Sequence, residues 1–187
     1  TRLMLVVRYR RRTPGARLNP QLITVSADGQ EVHIALPVSE WIKGGHHPNW
    51  CPDGDHVLMN LRLDGENMRF VRFRYDGTGL EPLTETVLGS GHPTMHPDGR
   101  HILTDEYVGG HLAFDDGSVP LRWVDVNDGT EQTVMRIRAD PPYAGPGRIF
   151  RVDLHPAWNR SYRYVTLNAC PDGTRRVYVA DMAELLG

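Results

Sequence analysis

The chain has 187 residues, 40% of them hydrophobic and 24% charged, enough apolar material for one folded domain with a core. A formal net charge of −2 argues against a nucleic acid or an anionic membrane as the main partner, and no apolar run approaches the roughly 20 residues that cross a bilayer. Two cysteines, Cys51 and Cys170, are too few for a disulfide framework and form no CxxC pair.

From the N-terminus, LMLVVRYRRR opens directly as the second strand of a repeat, and QLITVSADG and EVHIALPV follow as the third and fourth. The basic run of Arg8, Arg10, Arg11 and Arg12 reads as a solvated hairpin end. With Thr1 in first place and no charged-then-apolar leader, the expectation is a cytoplasmic protein whose own beginning is missing here. HPNWCPDGDHVLM (47–59) then opens a second repeat, with strands expected over 56–61, 69–75 and 81–85. HPTMHPDGRHILT (92–104) matches it without gaps 45 residues later and leads to strands over 101–107, 121–126 and 132–137. HPAWNRSYRYVTL (155–167) keeps the frame after a further 63 residues, with strands over 163–167 and 176–180 but no clear fourth. Pro-Asp-Gly and Asp-Gly-Thr supply hairpin turns, because Gly accepts positive φ and Asp bonds its own backbone. Both cysteines lie in such turn-like sequence and read as reduced thiols at the surface or at strand edges. A helical turn is expected only at 183–186.

Four short strands every 45 or so residues is the signature of a β-propeller built from four-stranded antiparallel blades. The predicted fold class is therefore all-β. The expected blades are a partial one over 1–43, complete ones over 44–90 and 91–150, the latter with an insertion, and a partial one over 151–187. The chain is then about half of a larger propeller, whose remaining blades come from the parent chain or from another copy.

In such a fold the first strand of each blade lines the central channel. His47, His92 and His155 share one phase and should project toward one point near the channel mouth. Asp153 and His155 are two residues apart, which in an extended chain puts them on one face. His92, Asp153 and His155 then form a set of two imidazoles and one carboxylate, suited to Mn2+, Fe2+, Zn2+ or Ni2+. His47 stands beside it as a free base, with an ordinary imidazole pKa near 6.5.

The succession HPNWCPDG, GHPTMHPDGRHILTD and RVDLHPAW resembles the oligogalacturonate lyases and their TolB-like relatives, over roughly residues 44–173. The resemblance implies a seven-bladed propeller in which His47 is the base, His92 the first metal ligand and His155 the last. Asp153 stands where the lyases usually have histidine, and Phe150 where they have glutamine. The implied cofactor is a divalent metal, Mn2+ foremost, and the implied activity is β-elimination on oligogalacturonate or a related oligouronide. Arg148 and Arg151, in and after the loop ADPPYAGPGRIF, and Arg8, in phase with Asn60, Asp105 and Asn168, are the candidates for holding substrate carboxylates.

Plainer roles stand beside these. The His-Pro histidines serve equally well as structural groups bonded to neighbouring backbone, and Asp153 as a turn cap. His46 reads as a solvated loop residue, His56 and His101 as strand starts on the opposite face, and His96 and His111 as surface groups. Trp50, Met95 and Trp158 read as core. A non-catalytic TolB-like propeller binding a protein or glycan at the channel mouth is the alternative function, and a metal-dependent hydrolase is another.

Overall fold

The computed structural model describes residues 1–10, 13, 15–16 and 18–186, so Arg11 and Arg12 of the basic run lie outside the described residues. The described residues form four antiparallel sheets, each hydrogen-bonded in chain order. The first holds β1 (Arg2–Arg10), β2 (Leu18–Ser26) and β3 (Val32–Leu36). The second holds β4 (Gly45–Trp50), β5 (His56–Leu61), β6 (Arg69–Arg74) and β7 (Glu81–Pro82). The third holds β8 (Thr94–Met95), β9 (His101–Thr104), β10 (Ser118–Asp125) and β11 (Thr130–Arg138). The last holds β12 (Ala157–Trp158), β13 (Tyr164–Ala169) and β14 (Arg176–Asp181). Two four-stranded blades flanked by two three-stranded ones is the arrangement that the repeat phase predicts.

The Pro-Asp-Gly turns work through their aspartates. Asp53 accepts from the N–H groups of Asp55 and His56, both at 2.9 Å, and its other oxygen lies 2.7 Å from His56 Nδ1. Asp98 repeats the pattern with Arg100, His101 and the His101 ring. In the rewritten last turn Asn159 takes over, accepting from the N–H groups of Arg163 and Tyr164. One side-chain oxygen bonded to successive amides closes each hairpin between first and second strand.

The chain folds as two compact units, Thr1–Gly89 and Ser90–Gly187. In the first, Leu22, Ala35 and Leu36 of the first sheet meet Val57, Met59, Leu61, Val71 and Phe73 of the second in one apolar core. In the second, Leu103, Val119, Leu121 and Ile137 meet Leu154, Val165, Leu167 and Ala169. Both cores follow from strands that bury one or both faces between sheets.

Several expectations need correction. A helical turn, α1 (Val38–Trp41), lies between the first two sheets, and a 3-10 turn spans Pro146–Arg148, in addition to the expected α2 (Ala183–Leu186). A single turn is too short to have a period, and α1 is held by burial of Trp41, whose indole N–H donates to the Gly45 carbonyl at 2.7 Å. β10 begins at Ser118, before Pro120, because β9 pairs only with Arg122 to Asp125, so the missing N–H of Pro120 breaks no bond to that strand. β9 ends at Thr104, short of 107, where Asp105 and Glu106 turn inward. Cys51 and Cys170 are free but buried, not superficial, and burial pushes the Cys51 thiol up to about 12. No helix among the described residues is long and apolar enough to cross a membrane.

Candidate metal centre

His92, Asp153 and His155 all belong to the second unit, and one ligand atom from each lies within 4.8 Å of the others. One cation with bonds of about 2 Å spans such a separation after small side-chain rotations. The two imidazoles are 3.5 Å apart between ring centroids, tilted by 33°. The chain reaches this geometry by turns, not by the pleat expected for residues two apart. His155 sits at φ 48° in a non-strand segment, and the first strands of these two blades start only at Thr94 and Ala157. A left-handed residue before proline is disfavoured, costing on the order of 1–3 kcal/mol, and His47 repeats it at φ 56°. In the remaining motif the left-handed residue is Gly91, one place earlier, at φ 65°. The three His-Pro starts therefore share a hairpin phase but not a backbone conformation.

Asp105 organises the cluster. Its carboxylate is fully buried; it accepts the His92 N–H at 2.6 Å and the His155 N–H at 3.2 Å, and its two oxygens lie 3.0 and 2.9 Å from His92 Nδ1. Burial alone raises the Asp105 pKa, but hydrogen bonding to the His92 ring and to the amides of His92 and His155 outweighs this and holds the group ionised below its ordinary value. An ionised carboxylate only accepts, so the ring nitrogen facing it is Nδ1–H and the lone pair of His92 is on Nε2. Burial, followed by the neighbouring His92 ring, depresses His155 against the opposite pull of Asp105 and Asp153, which favours a neutral imidazole with a lone pair to give. Tyr107 adds its ring edge-on to His92 at 5.4 Å. Burial, then Asp105, Asp153 and Glu106, push its phenol well above its ordinary value, leaving it a protonated donor.

The candidate arginines separate. Arg151 lies against the cluster, its Nε 2.9 Å from Asp153 Oδ2. Arg148 instead faces Asp140 at 3.8 Å. Arg8 belongs to the first unit, where it lines a groove of about 570 Å3 with Met4, Trp41, His46, His47 and Pro48. In that groove the rings of His46 and His47 meet edge to face, 4.7 Å apart. His46 is not a loop residue: it belongs to β4, with its Nδ1 3.3 Å from the Asn60 side-chain amide. His96 is not a surface group either, being 17% exposed beside Asp98 and ringed by Trp123, Trp158 and Tyr162. Phe150 is 56% exposed against Tyr143. In the sequence alone Asp105 is only a phase marker. Its signal was an acid at the strand end where the sister blades have Asn60 and Asn168. Tyr107 had no comparable signal, since it closes the strand expected over 101–107 with nothing to mark it as facing His92.

The chain matches no protein-family model, and no curated protein matches it. Solved structures do. TolB from Acinetobacter baumannii superposes with a TM-score of 0.66 at 15% identity, over 96% of this chain and 39% of that one. The fold is that of the TolB and oligogalacturonate lyase propellers. An oligogalacturonate lyase in complex with manganese gives a TM-score of 0.62 at 16% identity, over 86% of this chain and 40% of the lyase. The β-propeller domain of the Trilobed protease from Pyrococcus furiosus gives 0.52 at 8% identity, over 96% and 51%. The chain thus spans about two fifths of the length of the first two of these propellers.

Proposed function

We propose that the complete protein cleaves oligogalacturonate or a related oligouronide by β-elimination, with a divalent metal, Mn2+ foremost, held by His92, Asp153 and His155. The observation that carries this is the convergence of those three side chains, with Asp105 fixing both histidines. The manganese in the lyase with the same fold supports the choice of ion. When bound, the cation draws charge from the substrate carboxylate and so acidifies the proton alpha to it, an effect worth several kcal/mol.

The remaining steps belong to the chain. His47 accepts that proton, the freed electron pair forms a carbon–carbon double bond, and the glycosidic oxygen departs and is protonated by water. General-base help of this kind contributes roughly a hundredfold to ten-thousandfold. Arg8, beside His47 in its groove, and Arg151, beside Asp153, bind substrate carboxylates, with Arg148 further along the same loop. The two three-stranded sheets support completion of the propeller by the rest of a longer chain or by another copy.

Metal analysis of the complete protein, followed by near-ultraviolet absorbance during incubation with oligogalacturonate, tests the proposal. Bound divalent metal and a rising absorbance from the new double bond are expected. Chain cleavage without that absorbance would point to a hydrolase. A second reading, a non-catalytic propeller that binds a protein or glycan, is favoured by one observation: the Arg151 guanidinium already neutralises Asp153 as a cation would. A protein that retains no divalent metal would select it.

A further inference from the structure

We infer that Asp105 is the positioning residue of this centre: a single buried carboxylate sets the tautomer of His92 and the backbone of His155, and so aims both imidazoles at one point. The inference rests on the metal-centre reading above. Three nitrogens from two residues meet this side chain: the amide donors of His92 and His155, and His92 Nδ1. His92 and His155 stand just before the first strands of two different sheets, 63 residues apart in sequence, so the carboxylate ties two blades together at the cluster.

At the same phase in the second sheet, Asn60 presents its amide to His46 Nδ1. In the last sheet Asn168 donates to the carbonyls of Asp153 and Leu154 at 3.2 and 3.4 Å. Those amides act as donors toward acceptors. At position 105 two of the three nitrogens are backbone donors, and a carboxylate accepts from both and from an Nδ1–H of His92, whereas an amide in its place turns an NH2 toward at least one of them. Gly91 completes the device. A Cβ there would collide with the backbone carbonyl and the carboxylate of Asp105, so the missing side chain makes room for the carboxylate beside the His92 amide. Carboxylate–histidine–metal arrangements use this logic, and losing the carboxylate typically costs about ten- to hundredfold in metal affinity.

The test uses the complete protein, with Mn2+ as probe, and nitrogen-15 NMR of its histidines in the metal-free state. In the parent, His92 should be the Nδ1–H tautomer; an Nε2–H tautomer there overturns the inference before any variant is made. In Asp105→Asn, with near-ultraviolet circular dichroism unchanged, the tautomer should become mixed and Mn2+ should bind about ten- to hundredfold more weakly. Asp105→Glu, which restores an acceptor-only group, should recover part of the affinity. Equal Mn2+ affinity and an unchanged tautomer in Asp105→Asn would overturn the role. A parent that binds no Mn2+ would instead remove the metal-centre reading, while the tautomer comparison would still decide whether Asp105 orients His92.

Discussion

Gly91 and His47 illustrate how much a single residue decides in this chain. Gly91 combines a left-handed backbone with a close approach to Asp105, so a methyl group meets both torsional strain and a collision. Gly91→Ala should lose about 1–3 kcal/mol of stability in urea denaturation and weaken Mn2+ binding with it. His47 is strained in a comparable way, yet it is no ligand of the proposed cation. If the His-Pro starts served only packing, replacing any of them would change stability alone, by an amount set by its own backbone and burial. The proposed function makes them unequal. His47→Ala in the complete protein should retain metal and fold while losing about a hundredfold or more in rate on an oligouronide. His92→Ala should lose both metal and activity. Metal content and initial rates, measured side by side, separate these outcomes, and a His47→Ala protein as fast as its parent would refute the assignment.

At the scale of the element, the turn that joins β8 to β9 sets the register of its hairpin through Asp98. Burial pushes this carboxyl up, but the His101 ring, the amides of Arg100 and His101 and the His96 ring outweigh that and bring it to about 2. Since the folded value lies below the ordinary 3.8, the stabilisation is fully present above 3.8 and is lost as pH falls through about 2. Asp98→Ala removes the turn bonds and should cost about 1 kcal/mol at neutral pH. Asp98→Asn keeps an amide-accepting oxygen, as Asn159 does in the last turn, and should cost less. Its deficit relative to the parent should shrink as the pH is lowered toward about 2, which urea titrations across that range would follow; a deficit independent of pH would contradict the account.

For the molecule as a whole, the cluster links cation binding to folding of the unit that holds it. His92, Asp153 and His155 converge only when the sheets of the Ser90–Gly187 unit are assembled, and the unfolded chain holds no such site. Mn2+ at a hundred times its dissociation constant should therefore stabilise the protein by about 2.7 kcal/mol, reversibly on adding a chelator. Thermal unfolding of the parent and of His92→Ala, each with and without Mn2+, checks this, and only the parent should respond. The strands at the free edges differ from their neighbours: Val177 and Val179 of β14 are 70% and 67% exposed, whereas β10 at the equivalent place in the third sheet is buried almost throughout. That contrast is the whole-molecule mark of a blade with three strands.

Turn chemistry and repeat phase are local, so the sequence by itself determined the all-β class and the succession of strands: β5 was expected with the limits it has, the other strands with ends shifted by one to three residues, and the missing strands of the first and last sheets were legible as gaps in the repeat. His92, Asp153 and His155 were also legible as a group, from the shared phase of the two histidines and the short spacing of Asp153 from His155, although not by the extended pleat that the spacing implied. The rest needed the tertiary structure. The left-handed conformations of His155 and Gly91, not an extended pleat, bring the ligands together, and no pattern of residue types announces a backbone torsion. Asp105 gained its role from contact with a residue 50 positions away, and Arg151 from its place against Asp153. Such roles depend on which donors and acceptors meet once the strands have packed, and that is a property of the assembled interior, not of any stretch of chain.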